Sequence, residues 1–280
     1  MLLSALGFAL MAAAVKWVHA RGIPVLEIVA ARALVSLLLS YLDIRRKRIG
    51  LWGQRRDLLI ARGAVGSLAL LCVYYAVTAL PLAEATLLQY LHPLFTAVLA
   101  WLFLKERLHG ATLICMALGV AGLLLIARPA LLFAEVQQPL PLLAVSAAVV
   151  GALGSAIAYV IVRKLSQSED PSVIIFYFPL IALPFSLVLL GNDAVWPSGW
   201  DWLALLLIGV FTQVGQMGLT KALQTETAAR ATAFAYIQVV FSIVLGWLLF
   251  AELPGLYTWL GGSLIILGAL VNLLGRAGRQ

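Results

Sequence analysis

The chain reads as an all-α integral membrane protein of ten transmembrane helices, arranged as two inverted five-helix repeats with both termini cytoplasmic. Three observations predict this. Hydrophobic residues make up 63% of the 280 positions and charged residues only 11%, where globular proteins carry about a quarter charged. The apolar residues gather into ten runs close to the length that crosses a bilayer. One of those runs recurs 146 positions later in the chain.

The runs cover 2–18, 24–42, 60–79, 82–104, 110–127, 142–163, 172–190, 200–221, 228–250 and 256–275. Leu and Ala dominate them and period-two alternation is absent, so they are helices and not barrel strands. The first run resembles a signal peptide in its small-residue end, Val18-His19-Ala20, but lacks a basic start. Ala5-Leu6-Gly7 with Ala9 recurs as Ala152-Leu153-Gly154 with Ala156, which predicts a retained first helix. Gly22-Ile23-Pro24 turns the chain into segment 2, which carries Glu27 and Arg32. A charge in mid-helix costs about 3 kcal/mol on insertion scales, so Arg32 is expected in an ion pair or a clamp of carbonyls. Leu80-Pro81 separates segments 3 and 4, and Pro254-Gly255 separates segments 9 and 10. The stretch 128–141, with three prolines, joins the halves. Gly119, Gly122, Gly151, Gly154, Gly215, Gly218, Gly261 and Gly262 are expected where helices approach closely.

Shifting the chain by 146 lays 82–108 on 228–254, with ten identities in 27 positions. The Thr, Tyr, Trp and Glu matches carry the weight, because apolar runs share Leu and Ala by chance. Trp101 to Glu106 matches Trp247 to Glu252. The repeats are 1–127 and 142–275, with 128–141 a periplasmic linker and 276–280 a cytoplasmic tail. Arg45, Arg46, Lys47, Arg48, Arg55 and Arg56 crowd the loop after segment 2 and place it in the cytoplasm. Alternation then puts Lys105 and Arg107, Arg163 and Lys164, Lys221, Arg276 and Arg279 inside as well. Five spans per repeat force the second copy to insert upside down. Lys105 and Arg107 flank the inner Glu106, whereas Ala251 and Leu253 flank the outer Glu252. Inverted repeats are the architecture of secondary transporters, with substrate near the midplane.

Segment 4 sets Thr86, Gln89, Tyr90, His92, Pro93 and Thr96 on one arc. Segment 9 does the same with Thr232, Tyr236, Gln238, Ser242 and Gly246. Polar faces inside a membrane must meet water, ligand or another helix. Tyr90 and Tyr236 fall at about 12–15 Å depth and suit either a substrate cavity or helix–helix hydrogen bonding. His92 suits a proton-binding role or a neutral hydrogen bond. Gln213 and Gln216 share a face of segment 8. Tyr75, Tyr159 and Trp17 complete the candidate substrate-binding set, with interfacial anchoring as the alternative for the aromatic residues. Glu84 and Arg230 look like helix-start residues.

Other classes are disfavoured. Cys72 and Cys115 lack metal-ligand spacing, and no metal or cofactor is expected. No Gly-x-Ser-x-Gly elbow or His/Asp/Glu cluster points to an enzyme, and no soluble domain or last-span Lys points to a sensor. The net charge of +7 lies in loops, where it sets topology and does not bind nucleic acid.

Gly7, Lys16, Pro24 and Arg32, then Tyr75-Ala76-Val77-Thr78-Ala79-Leu80, Pro93-Leu94-Phe95 and Leu104-Lys105-Glu106-Arg107 resemble the EamA-like branch of the drug/metabolite transporter superfamily. The resemblance covers nearly the whole chain as two tandem units. It implies a ten-helix basket in the bacterial inner membrane that exports small metabolites by alternating access, with protons as a candidate coupling ion. Within the family the chain is most similar to aromatic amino acid exporters. Drug and nucleotide-sugar carriers share the fold, but a phosphate-bearing substrate calls for paired basic residues at mid-depth. Val239 stands where the first unit has Pro93, which leaves symmetric kinking of segments 4 and 9 open.

Overall fold

The computed structural model describes residues 1–80, 85, 88–127, 141–251 and 255–277. Glu84, Thr86, Glu252 and most of the linker, 128–140, lie outside them. Every regular element among the described residues is helical. The first half holds α1 (Leu2–His19), α2 (Val25–Lys47), α3 (Arg56–Ala79), α4 (His92–Leu104) and α5 (Gly110–Ala127). The second holds α6 (Leu142–Leu165), α7 (Pro171–Leu190), α8 (Trp200–Thr225), α9 (Ala228–Ala233), a 3-10 turn (Phe234–Tyr236), α10 (Ile237–Phe250) and α11 (Leu256–Ala277). Seven stretches, α9 through α10 counting as one, are long and apolar enough to cross a bilayer, and α4 and α5 are shorter apolar helices.

Several helices outrun their apolar runs. α2 continues to Lys47, α3 begins at Arg56 and α8 reaches Thr225. Hydropathy marks the edge of the hydrocarbon, but the backbone ladder continues into the interface, where water takes the free end groups and basic side chains extend outward. At one such end Lys47 reaches Asp170 at 3.0 Å. Partial burial would raise the Asp170 carboxyl, but the Ser172 N–H and Lys47 hold it below the usual range.

The packing has a regular pattern. α1 lies along α8, and its repeat counterpart α6 lies along α3. α1 also touches α10 as α6 touches α4, and α2 touches α8 as α7 touches α3. α2–α7 and α5–α11 pair counterparts with each other. The first helix is therefore built into the bundle, and Ser4 Oγ donates to the Gly215 carbonyl at 2.7 Å.

Small residues set these crossings. A Cβ on Gly7 would lie 2.9 Å from the Gly215 nitrogen, and one on Gly154 would lie 2.9 Å from the Ala69 Cβ. Residues 69 and 215 are 146 apart, so the two crossings correspond. A Cβ on Gly122 would sit 2.5 Å from the Gly261 carbonyl oxygen, and one on Gly268 would sit 3.1 Å from the Cys115 carbonyl. Those contacts correspond in the same way. Seven of the eight expected glycines face such a neighbour; Gly262 faces open space.

Segments 4 and 9 differ from continuous helices. Tyr90 and Leu91 form a turn before α4, and the 3-10 turn ends at Tyr236, the position equivalent to Tyr90. Both are interrupted at the same place although only the first has a proline. Pro93 suits the first turn of α4 because its missing N–H is unpaired there anyway. In segment 9 the Tyr236 hydroxyl holds the break by donating to the Tyr90 carbonyl at 3.1 Å. The polar arc of α4 faces inward: His92, Pro93, Thr96, Ala97 and Ala100 are buried, while Val98, Trp101 and Phe103 are exposed.

Arg32 departs from expectation. It is buried, and its contact is with the Met11 sulfur at 3.7 Å instead of an ion pair or carbonyls. Glu27, five residues earlier and on another face, accepts from the Val195 N–H at 2.8 Å.

The α5–α11 crossing gives a direct test. Gly261→Ala pushes a methyl into the Gly122 carbonyl and is expected to destabilise by about 1–3 kcal/mol. Gly262→Ala has free space and should leave the melting temperature in detergent unchanged or slightly raised, since Ala favours helix.

Candidate functional site

A recess lies among the starts of α1, α4 and α10, the end of α9 and the later turns of α6 and α8. Ser4, His92, Tyr159, Thr232 and Gln238 supply its polar lining. His92 and Gln238 are equivalent positions of the two repeats. The turn at Tyr90–Leu91 and the 3-10 turn at Phe234–Tyr236 stand just ahead of them in the two repeats.

Four of the expected residues form a row of rings. Tyr236 stacks on Tyr90 with centroids 5.8 Å apart, Tyr90 lies 6.0 Å from His92, and His92 meets the edge of Tyr159 at 5.3 Å. The His92 Nδ1 is buried without a partner among the described residues. Gln216, outside the recess lining, accepts from Arg62 of α3 at 3.4 Å.

The other expected residues lie elsewhere. Gln213 accepts from Ser36 at 2.5 Å and donates to Ser40 at 2.9 Å, tying α8 to α2. An amide in the bilayer core takes the nearest hydroxyls, and here they come from a packed helix. Gln89 is half-buried and outside the recess lining. Tyr75 on α3 is 45% exposed. Trp17 is 39% exposed beside Arg21, the position of an interfacial anchor.

One turn beyond Tyr159, α6 presents Arg163. Its Nε meets Glu106 Oε1 at 2.8 Å, and its Nη1 donates to the Leu223 and Gln224 carbonyls at 2.7 and 3.1 Å. Glu106 Oε2 accepts from the Ala228 N–H at 2.7 Å. This clasp joins the ends of α4, α6 and α8 to the start of α9. Each partner satisfies free end groups: the carboxylate takes an N–H at a helix start, and the guanidinium takes carbonyls at a helix end. Lys105 turns Glu106 inward through a left-handed backbone, φ 55°, and Ala251 repeats that conformation 146 residues later.

The two repeats differ in how they are covered. α4 buries its inward arc, whereas α10 buries none of its residues, and Ser242 on the equivalent arc is exposed. The clasp lies one turn of α6 beyond the recess residue Tyr159, and Gln238 brings the start of α10 into the lining.

Comparison with known families decides the class. The EamA-like transporter family matches residues 1–128 and again 142–274. The chain belongs to the EamA-like transporter family. Family membership and the apolar helices make it a multi-pass membrane transporter. The pseudopaline exporter CntI of Pseudomonas aeruginosa is 34% identical, over 96% of this chain and 92% of that one. The riboflavin transporter of Vibrio cholerae is 30% identical, over 67% of this chain and 61% of that one. A crystal structure at 19% identity superimposes with TM-score 0.83 over 99% of both chains, which shows the fold alone. The family expected from the sequence stands. The narrower likeness to aromatic amino acid exporters is not what these relatives show, because general similarity in apolar helices does not identify cargo.

Two features of this EamA-like site escaped the sequence reading. The clasp is an ion pair across 57 residues, invisible without the fold. Arg62 was not singled out because it is the third residue of the run 60–79, where a long cation can reach the interface; its burial comes with the fold.

The clasp predicts non-additive stability. Glu106→Gln and Arg163→Gln should each lower the melting temperature. The double variant should lose less than the sum, with a coupling of about 1–3 kcal/mol; strict additivity would show that the pair does not act as a unit.

Proposed function

We propose that this EamA-like protein is a secondary transporter exporting amino acids or similar small metabolites across the bacterial inner membrane by alternating access. Its two halves are inverted repeats with both chain ends in the cytoplasm. The pairing of every major helix contact with a counterpart in the other half supports the repeat, and the basic loops support the orientation. The single observation carrying the mechanism is the unequal coverage of equivalent arcs: α4 buries its inward arc and α10 buries none of its residues. In that orientation the Glu106–Arg163 clasp closes the cytoplasmic side and the path along α10 leads outward. Transport requires the clasp to open while the α10 side closes, a rocking of one repeat against the other.

The cargo meets a lining of rings, amides and hydroxyls, suited to a small polar molecule with an apolar part. Relatives whose names carry pseudopaline and riboflavin favour a second reading, a bulkier metabolite handled by the same site.

Purified protein in liposomes should exchange labelled neutral amino acids, and Tyr236→Ala should cut the rate about tenfold, ~1.4 kcal/mol, with the folded fraction unchanged. No exchange of any of the twenty by folded protein would exclude amino acids as cargo and leave the second reading.

A further inference from the structure

Arg62 is 3% exposed, in the seventh position of α3. The other buried or half-buried arginines near the helix ends have strong partners. Arg163 has Glu106 and two carbonyls, and Arg230 has Glu226 at 3.6 Å and the Asn272 carbonyl at 2.7 Å. Arg62 has a single long hydrogen bond, Nη2 to Gln216 Oε1 at 3.4 Å, and a Phe178 ring 4.6 Å from its guanidinium carbon. Its Nε is buried with no partner, and no carboxylate pairs with it among the described residues. A cation kept inside a membrane bundle without an anion is costly.

The position is built for the group. A Cβ on Gly66, one turn further along α3, would lie 2.6 Å from Nη1, so the glycine leaves the space in which the guanidinium rests. α6 packs antiparallel along α3, with Gly151 against Val73 and Gly154 against Ala69, and so carries Tyr159 toward the Arg62 end of α3; Tyr159 lines the recess and meets His92 edge-on at 5.3 Å. His92, next in the row of rings, has its own unpartnered nitrogen. A guanidinium, a phenol and an imidazole nitrogen on the successively packed α3, α6 and α4, two of them short of a partner, are complementary to an oxyanion. A planar guanidinium fork matches a carboxylate. Arg62 brings one positive charge, and the other buried arginine without a carboxylate, Arg32, contacts Met11 on α1 instead. A lone cation fits a carboxylate better than a phosphate ester.

We propose that Arg62 is the anchor for a carboxylate of the transported molecule, with Tyr159 and His92 completing the subsite. This rests on the transporter reading and narrows its cargo to carboxylate-bearing metabolites. Melting temperatures of the detergent-solubilised full chain test it. The probes are small amino and hydroxy acids with aliphatic, aromatic and polar side chains, each beside its decarboxylated amine or alcohol. At least one acid should raise the wild-type melting temperature while its decarboxylated partner does not. Arg62→Gln should weaken that response about tenfold or more, consistent with loss of a charge-assisted pair. Arg62→Lys, which keeps the charge and protects against a folding failure of the first variant, should retain a weaker response. Equal responses to acids and their partners, a wild-type response in folded Arg62→Gln and Arg62→Lys, or no response to any acid would overturn the proposal. The transporter reading fails separately, if an acid that binds is not exchanged across liposomes by the wild type.

Discussion

A bilayer core offers no water to a polar group, and that constraint orders this protein from backbone to site. Backbone groups close on themselves in helices. Helices that gain little from burying apolar surface against each other must gain contact instead, so they cross where a missing side chain lets backbones touch. Gly7 against Gly215 and Gly122 against Gly261 are such places. Helix ends obey the same rule. The Ala228 N–H and the Leu223 and Gln224 carbonyls are taken by Glu106 and Arg163, so one ion pair satisfies three groups from two other helix ends. The rule is left unfulfilled at the His92 Nδ1 and the Arg62 Nε, the two groups on which the proposed carboxylate subsite is based.

The repeats share packing but not chemistry. Crossings that hold the bundle recur at matching positions, because duplication copied the small residues that make them. Residues that distinguish the halves lie at the recess and at the helix ends. His92 faces Gln238 across the repeat, and Arg62 stands where the second half carries Ile208. A symmetrical frame carrying unsymmetrical side chains can open to two sides and yet hold its cargo in one orientation.

Much of this was legible in the chain. Hydropathy located the helices, because apolar length is a direct image of bilayer thickness. The Trp101–Glu106 and Trp247–Glu252 match exposed the duplication. Amphipathic reading of segment 4 found Tyr90 and His92, since a polar arc in a membrane helix has to face inward. Partner choice was hidden. Gln213 and Gln216 are three residues apart on one helix face, yet one binds Ser36 and Ser40 and the other Arg62. Spacing gives a direction from the helix axis, and what stands in that direction belongs to the fold. The break at Tyr236 was hidden for a similar reason: no residue within segment 9 demands it, and the stabilising bond comes from segment 4.

That bond joins a residue to its own duplicate, for Tyr90 and Tyr236 are 146 positions apart. Contacts between unlike residues have one arrangement; a contact between copies has two. Here the hydroxyl of the second copy meets the carbonyl of the first. The chain also holds the ingredients of the reverse, a Tyr90 hydroxyl and a Tyr236 carbonyl, identical in bond type and number. A duplicated chain thus acquires a parity at its centre. The two senses differ only through their surroundings, and copying alone supplies the donors and acceptors of both.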